Sequence, residues 1–308
     1  MTTVLVTGAG GHIGQRLTHR LASDGIGVRA LVRRELEWPD GVDQVVGDLV
    51  ADPGVTAHLA KGADVAIHLV GAGEAALASD PDRAIADSVA ACESVLASGV
   101  PRVVYMSTVH VYGSSLSGQA VVDEATPLSP STPYARARLA CEEVLTTSAT
   151  PSVVFRLTNG IGAPQQADSA GWRVVTHELC REGATRGRLT LRTPGLQWRD
   201  FVPLVNVETA LSALVRQPRF PVGTYNFGSG TSITVRDLAG EIQDAFERVD
   251  GTRPPLDVPT ADADAVTEAP YRIGIRALEQ LELFGPTSRQ EALDDVVRFC
   301  LRHKASLA

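Results

Sequence analysis

Thr3-Val4-Leu5-Val6-Thr7-Gly8-Ala9-Gly10-Gly11-His12-Ile13-Gly14 decides how the rest of the chain is read. A run of β-branched and leucine residues enters a glycine-rich turn, and from Ile13 to Ser23 apolar side chains recur at helical spacing. A strand that passes through such a turn into a helix is built to hold phosphate. Gly8 permits the tight turn, Gly11 lets the backbone approach a pyrophosphate, and Gly14 lets the helix pack closely on the strand. The unpaired N–H groups at the helix start face the anion, and His12 and Ile13, which open that helix, complete the set. A dinucleotide is the expected ligand; a glycine-rich connection without a ligand is the alternative.

The pattern continues outward. Val28 to Val32, Gln44 to Val46, Asp64 to Val70, Arg102 to Ser107 and Val153 to Leu157 are near-continuous apolar runs, as buried parallel strands require. Helical segments such as Pro81 to Ser98 fill most of the gaps. Strands alternating with helices predict an α/β protein with a doubly wound parallel sheet of Rossmann type. After residue 157 the alternation breaks into a Gly/Pro-rich loop at Gly160 to Pro164, a helical stretch, isolated strand-like pieces, a Pro-rich segment at Arg253 to Pro259 and a final helix. Residues 1–157, with roughly 201–228 returning to them, are therefore expected to form a dinucleotide-binding domain, and 158–200 with 229–308 a smaller mixed substrate lobe. The longest linker candidate is Pro254 to Pro270.

Composition removes several classes. The 308 residues carry a net charge of −8 with no run of five basic residues, so nucleic acid is a poor partner. No stretch approaches 18 apolar residues, and the N-terminal residues show no basic region followed by a long apolar one, so a cytoplasmic protein without membrane contact is expected. Cys92, Cys141, Cys180 and Cys300 form no CxxC pair, which suggests neither a metal site nor a disulfide framework.

The spacing Gly-x-x-Gly-x-x-Gly resembles the extended short-chain dehydrogenase/reductase family, which includes nucleotide-sugar epimerases, dehydratases and reductases. Two further stretches resemble it strongly: Val104-Tyr105-Met106-Ser107-Thr108-Val109-His110-Val111-Tyr112-Gly113, and Thr132-Pro133-Tyr134-Ala135-Arg136-Ala137-Arg138. The resemblance implies that Thr108 is the catalytic hydroxyl at a strand end and Tyr134 the acid/base of a Tyr-x-x-x-Lys motif. Hydride transfer between nicotinamide and a carbinol carbon must be accompanied by proton transfer at the oxygen, so a phenol and a second hydroxyl flank that oxygen. Free tyrosine, with a pKa of about 10, is a weak base near neutrality, and a cation one helical turn away favours its phenolate.

Here that cation is Arg138 rather than lysine. Arginine keeps the charge and the i+4 placement, but its planar fork does not reproduce a compact ammonium and it scarcely deprotonates. A working enzyme and a cofactor-binding chain that has lost redox turnover are both left open. A second departure is Ser88, which aligns where the family has an asparagine beneath the active site; an ordinary polar helix position is the alternative.

At the end of the second strand, Ala30-Leu31-Val32-Arg33-Arg34 offers no carboxylate for an adenosine ribose, while two guanidinium groups suit a 2′-phosphate. NADP is favoured, with NAD the alternative. In Gly47-Asp48-Leu49 the resemblance assigns Asp48, with Leu49, to the adenine; a helix cap is the competing reading. His68 matches a frequent structural feature at the end of the fourth strand.

In the second half, Arg156-Leu157-Thr158-Asn159-Gly160, Trp198-Arg199-Asp200-Phe201-Val202 and Tyr225-Asn226-Phe227-Gly228 resemble the nucleotide-sugar branch. By that resemblance Asn159 and Arg199 face a substrate pyrophosphate and Arg272 is a second cationic clamp. Against this, Asn159 reads equally as a turn residue and Arg199 as a partner of Asp200. A 4,6-dehydratase carries an acid pair directly after the threonine; this chain has Val109 and His110, so dehydration ranks low, while His110 either reaches the sugar or is a buried histidine. Reduction or epimerisation of a keto or hydroxy group on a nucleotide-activated sugar is the leading expectation. A non-nucleotide natural-product ketone on the same fold is the rival. The family often pairs two long helices across a two-fold axis, so a homodimer through Pro81 to Ser98 and Thr132 to Thr147 is expected by resemblance.

Overall fold

The structure is a computed structural model, and it describes residues 2–52, 54–116, 119–167, 172, 174–260, 269–283 and 285–307, without the side chains of 56–58. Its centre is a sheet of seven strands. In order across the sheet they are Gly223–Phe227, Ser152–Leu157, Val103–Thr108, Val65–His68, Thr3–Thr7, Gly27–Val32 and Val42–Val46. Every pairing is parallel, and the order reverses direction at the first strand, between Val65–His68 and Gly27–Val32. This is the doubly wound sheet that the sequence predicts.

Side-chain alternation explains why the strands read as continuous apolar runs. Val4, Val6, Ala30, Ile67, Val104, Met106 and Phe155 point to one face, where they meet Leu17 and Leu21 of helix His12–Ser23 and Val207, Ala210 and Leu211 of helix Leu204–Leu214. Leu5, Leu31, Ala66, Tyr105 and Val154 point to the other, against Ala91, Cys92 and Val95 of helix Pro81–Ala97 and Cys141 and Leu145 of helix Pro133–Thr147. With both faces covered, no strand position can be polar cheaply.

A second apolar cluster is built by helices Val175–Arg186, Val235–Asp250 and Arg289–Arg302 through Leu179, Ile242, Phe246, Leu293 and Val297. Two expectations are corrected in this half. Asn159–Ile161, expected within or beside a loop, is a strand that pairs in parallel with Phe201–Pro203. Leu256–Asp257, inside the Pro-rich segment, pairs with Leu189–Thr190. Such two- and three-residue pairings depend on partners tens of residues away, so local periodicity cannot reveal them. The fourth strand is also shorter than expected, ending at His68, because the chain then leaves the sheet to form a wall of the cleft described below. The linker candidate Pro254 to Pro270 lies partly outside the described residues.

One buried polar network ties these layers together. Arg156, on strand Ser152–Leu157, donates to the Glu142 carboxylate on helix Pro133–Thr147 at 2.7 Å, with both side chains buried. Glu142 also accepts from the Ser107 hydroxyl. Arg156 donates to the Tyr112 hydroxyl at 3.0 Å, and Tyr112 donates to Asn226 Oδ1 at 2.7 Å on the edge strand. A buried pair broken from one side leaves an uncompensated charge. Arg156→Met is thus expected to cost about 3–5 kcal/mol in urea denaturation, and Glu142→Leu added to it to recover much of the loss.

Candidate active site

The glycine turn has the tight bend expected of Gly8 and the close helix–strand approach expected of Gly14. Gly8 has φ +74°, a conformation that other residues rarely adopt. A Cβ on Gly14 would land on the Gly8 carbonyl oxygen and lie 2.7 Å from Ala9 Cα, so only glycine allows this helix–strand approach. The Gly11 N–H donates to Gly8 O at 3.0 Å and the Gln15 amide to Gly10 O at 3.0 Å, which freezes the turn. No side chain caps the helix that follows, so its first N–H groups stay available to an anion.

In front of this turn lies a cleft of about 610 Å³. Its walls are Gly8, Gly10 and Gly11, the strand end Val32-Arg33, the segment 47–51, the segment 69–73, and Ala84, Asp87 and Ser88 of helix Pro81–Ala97. The cleft thus collects Gly8, Gly11, Arg33, Asp48 and Leu49 of the expected residues, whereas Gly14 buttresses the turn from behind. Arg34 is exposed and is not part of the lining. Asp48 lines the cleft, and its Oδ1 accepts from the Val50 and Ala51 N–H groups at 2.9 and 3.1 Å, which closes a turn ahead of helix Gly54–Ala60 rather than capping that helix. Ser88 fastens one wall: its hydroxyl donates to Ala84 O at 2.8 Å and accepts from Ala72 N at 3.2 Å.

His12 and Ile13 lie outside the lining. The His12 ring turns away to meet His177 edge-on, with centroids 4.9 Å apart. Burial, aided by His177 and the Arg16 charge, lowers the His12 pKa to about 3. Burial lowers that of His177 to about 4, and its Nε2 donates to Gly162 O at 2.8 Å. Neither His12 ring nitrogen has a hydrogen-bond partner among the described residues.

Tyr134 and Arg138 stand one turn apart on helix Pro133–Thr147, whose start is fixed by Pro133 and by the Thr132 hydroxyl accepting from Ala135 N at 3.2 Å. The Arg138 guanidinium carbon lies 5.3 Å from the Tyr134 ring centroid. Its Nη1 reaches Met106 O at 3.1 Å, Val70 O at 3.2 Å and the Tyr105 hydroxyl at 3.4 Å. Tyr134 is 38% exposed, which leaves it open to a ligand. Thr108 ends the strand that carries Met106; it is almost fully buried, and its Oγ1 accepts from the His110 N–H at 3.3 Å. Below the guanidinium, His68 stacks on Tyr105 at 5.6 Å and shares a 2.7 Å hydrogen bond with Thr7 Oγ1. Burial and the Arg138 charge hold its pKa down at about 3. Arg138 is consequently a cation among neutral rings.

Farther along, His110 and Arg199 are brought together: burial first, then the Arg199 charge, lowers the His110 pKa. Arg199 Nη1 donates to Trp198 O at 2.6 Å. Asp200 is held instead by Thr158 Oγ1, the Ser229 N–H and hydroxyl, and the Thr231 N–H, and burial still pushes its carboxyl up. The Asn159 amide donates to Asp200 O at 2.9 Å. Arg272 sits on a two-residue strand paired with Val121 and lies outside the cleft. Sequence reasoning missed Gly71 and Tyr105 as members of the site. Gly71 stands three residues after the strand-end histidine and Tyr105 three before Thr108, positions that mark them only once the place of Arg138 is known.

The sheet order and the glycine turn define a Rossmann-type fold. The NAD dependent epimerase/dehydratase family matches residues 4–228, and the chain belongs to that family. It is 31% identical over 224 residues to the ceramide reductase of Caulobacter vibrioides (strain NA1000 / CB15N), covering 71% of this chain and 62% of that protein, less than two thirds of the relative's length. It is 26% identical over 341 aligned positions to the UDP-glucose 4-epimerase of Azospirillum brasilense, covering 99% of this chain and 92% of that protein. The solved structure of MoeE5 in complex with UDP-glucose and NAD shares the fold, with a TM-score of 0.78 at 24% identity over 99% of this chain and 100% of that one.

His12, His68 and His177 make stability depend on acid. Their folded pKa values lie at about 3 to 4, below the value of about 6.5 expected when unfolded. Between those limits the unfolded chain binds more protons, so stability is fully present above pH 6.5 and falls as pH drops toward 3. Urea titrations across this window are expected to show His12→Phe reducing the pH slope by up to one proton, about 1.4 kcal/mol per pH unit.

Proposed function

We propose that the chain is an NADP(H)-dependent enzyme that reduces or epimerises a keto or hydroxy group on a nucleotide-activated sugar. The observation that carries this reading is the pairing of Tyr134 with a permanent cation, Arg138, beside a glycine-walled cleft. The dinucleotide, when bound, supplies a hydride donor or acceptor. Gly8, Gly11 and the bare helix start would hold its pyrophosphate, with Gly14 securing the turn and the His12 and Ile13 backbone completing it. Asp48 and Leu49 would border the adenine. Arg33, on the cleft wall, suits a 2′-phosphate, with Arg34 beside it, and no carboxylate stands at that strand end to repel one. Relatives and their names support NAD as the family's coenzyme, and the charge at this position inclines the present chain to NADP.

Tyr134 would exchange a proton with the substrate oxygen, Arg138 would stabilise its phenolate, and Thr108 would hydrogen-bond the same oxygen. Asn159, Arg199 and Arg272 would meet the substrate pyrophosphate, and His110, beside Arg199, would border the sugar. With Val109 and His110 after Thr108, neither slot carries the acid that dehydration requires. In this reading residues 1–157 with roughly 201–228 bind the coenzyme and 158–200 with 229–308 the substrate. Homodimerisation through helices Pro81–Ala97 and Pro133–Thr147 and a cytoplasmic location complete the proposal; no helix among the described residues is long and apolar enough to cross a membrane.

A second reading, a non-nucleotide substrate on the same fold, draws support from the likeness to a ceramide reductase. Purified protein incubated with NADPH or NADH and a panel of nucleotide sugars is expected to change absorbance at 340 nm and to prefer NADPH. Tyr134→Phe is expected to lower kcat by about 10²–10⁴-fold, and Arg33→Ser to shift preference toward NADH. Turnover only on non-nucleotide ketones would select the second reading. Thermal stabilisation by NADP with no turnover on any substrate would mark a binding protein instead.

A further inference from the structure

We propose that Gly71 and Tyr105 are positioning residues that form a seat for the Arg138 guanidinium, and that this seat lets an arginine serve where the Tyr-x-x-x-Lys pattern has lysine. The proposal rests on the function proposed above and extends it to two residues outside the motif.

Gly71 shows the seat directly. A Cβ at that position would come within 2.7 Å of Arg138 Nη2, 2.8 Å of Cζ and 3.2 Å of Nη1. Real Cβ atoms essentially never approach below 3.0 Å, so the guanidinium, the end of a long side chain, would have to shift, and its bonds to Val70, Met106 and Tyr105 set what that shift costs. The Gly71 backbone is not in the left-handed region that favours glycine, so space and not torsion is what the missing side chain provides. The space is occupied by the planar fork, which is wider than an ammonium.

Tyr105 supplies the floor. It is fully buried, its ring lies 5.8 Å from the guanidinium carbon, and its hydroxyl accepts from Nη1. The carbonyls of Val70, two residues past strand Val65–His68, and Met106, within the adjacent strand Val103–Thr108, accept from the same nitrogen, which carries only two hydrogens for three acceptors. The charge is thereby localised at the sheet edge with one side bound to backbone. Its other nitrogen, Nη2, is the atom nearest the Gly71 Cβ position, and Gly71 lines the cleft. The Tyr134 ring packs on the same group. Moving the fork therefore moves a cation that packs on the phenol and against Gly71 of the cleft wall.

A double-mutant cycle tests this, using the full chain, with Gly71→Ala, Arg138→Lys and both together. Thermal midpoints without coenzyme, NADPH affinity by fluorescence and kcat are the readouts. Gly71→Ala is expected to weaken NADPH binding and lower kcat by at least about tenfold when Arg138 is present. In the Arg138→Lys background the same change is expected to alter either by less than about twofold, because a slim ammonium does not occupy the space. Tyr105→Leu is expected to repeat the pattern, with a loss that shrinks in the lysine background. Equal losses in both backgrounds, or no loss beside Arg138, overturn the seat. A coupling seen only in thermal midpoints overturns its role in the site. A wild-type protein that binds no NADPH or NADH overturns the function proposed above, a failure seen without any variant, while the coenzyme-free cycle still reports on the seat.

Discussion

Seven strands running one way oblige every strand end that faces forward to open on a single edge of the sheet. Thr7, Val32, His68, Thr108, Leu157 and Phe227 all end their strands there. The chain must return over one face or the other to begin each next strand, and at the first strand the returns switch faces. That switch leaves a gap between segments 8–11 and 69–73, and the gap is the cleft. Neither the glycine turn nor the Tyr134 helix could act together on a ligand if any intervening strand ran backwards.

Buried polar groups at this edge and in the neighbouring small sheet need partners that the apolar layers cannot supply. Most find a partner from another segment of the chain: His68 Nδ1 meets Thr7, Asp200 meets Thr158 and the loop 229–231, and Arg156 meets Glu142 and Tyr112. Burial and the Arg138 charge keep His68 neutral, so its ring adds no second charge beside the guanidinium. A fixed cation in low-dielectric surroundings acts more strongly than the same charge in water.

The central sheet was legible from sequence because buried parallel strands leave a signature that needs no partner to be seen: runs such as Val4-Leu5-Val6 and Val103-Val104-Tyr105 are apolar at every position. The glycine turn was legible for a related reason, since its spacing encodes close approach. What escaped was relational. Asn159–Ile161 is a strand only because Phe201–Pro203 lies beside it, and Gly71 is informative only because Arg138 fills the space next to it. The motif named Tyr134, Thr108 and Arg138, and the structure adds that Arg138 is bonded to two backbone carbonyls, which no residue pattern encodes.

That last fact changes how the arginine is understood. Judged by residue type, replacing lysine removes a compact donor and puts turnover in question. Judged by its surroundings, the arginine fits its place, because three features of different segments agree with it: the absent side chain at 71, the buried phenol at 105, and the accepting carbonyls of Val70 and Met106. A guanidinium can bind backbone with one nitrogen and still present another, whereas an ammonium forming the same bonds would have a single nitrogen with which to do both. Anchoring and presentation, which compete in lysine, are separable in arginine. The departure from the motif therefore has a structural counterpart in neighbours that do not adjoin it in sequence, and local and distant features agree on the space that the guanidinium fills.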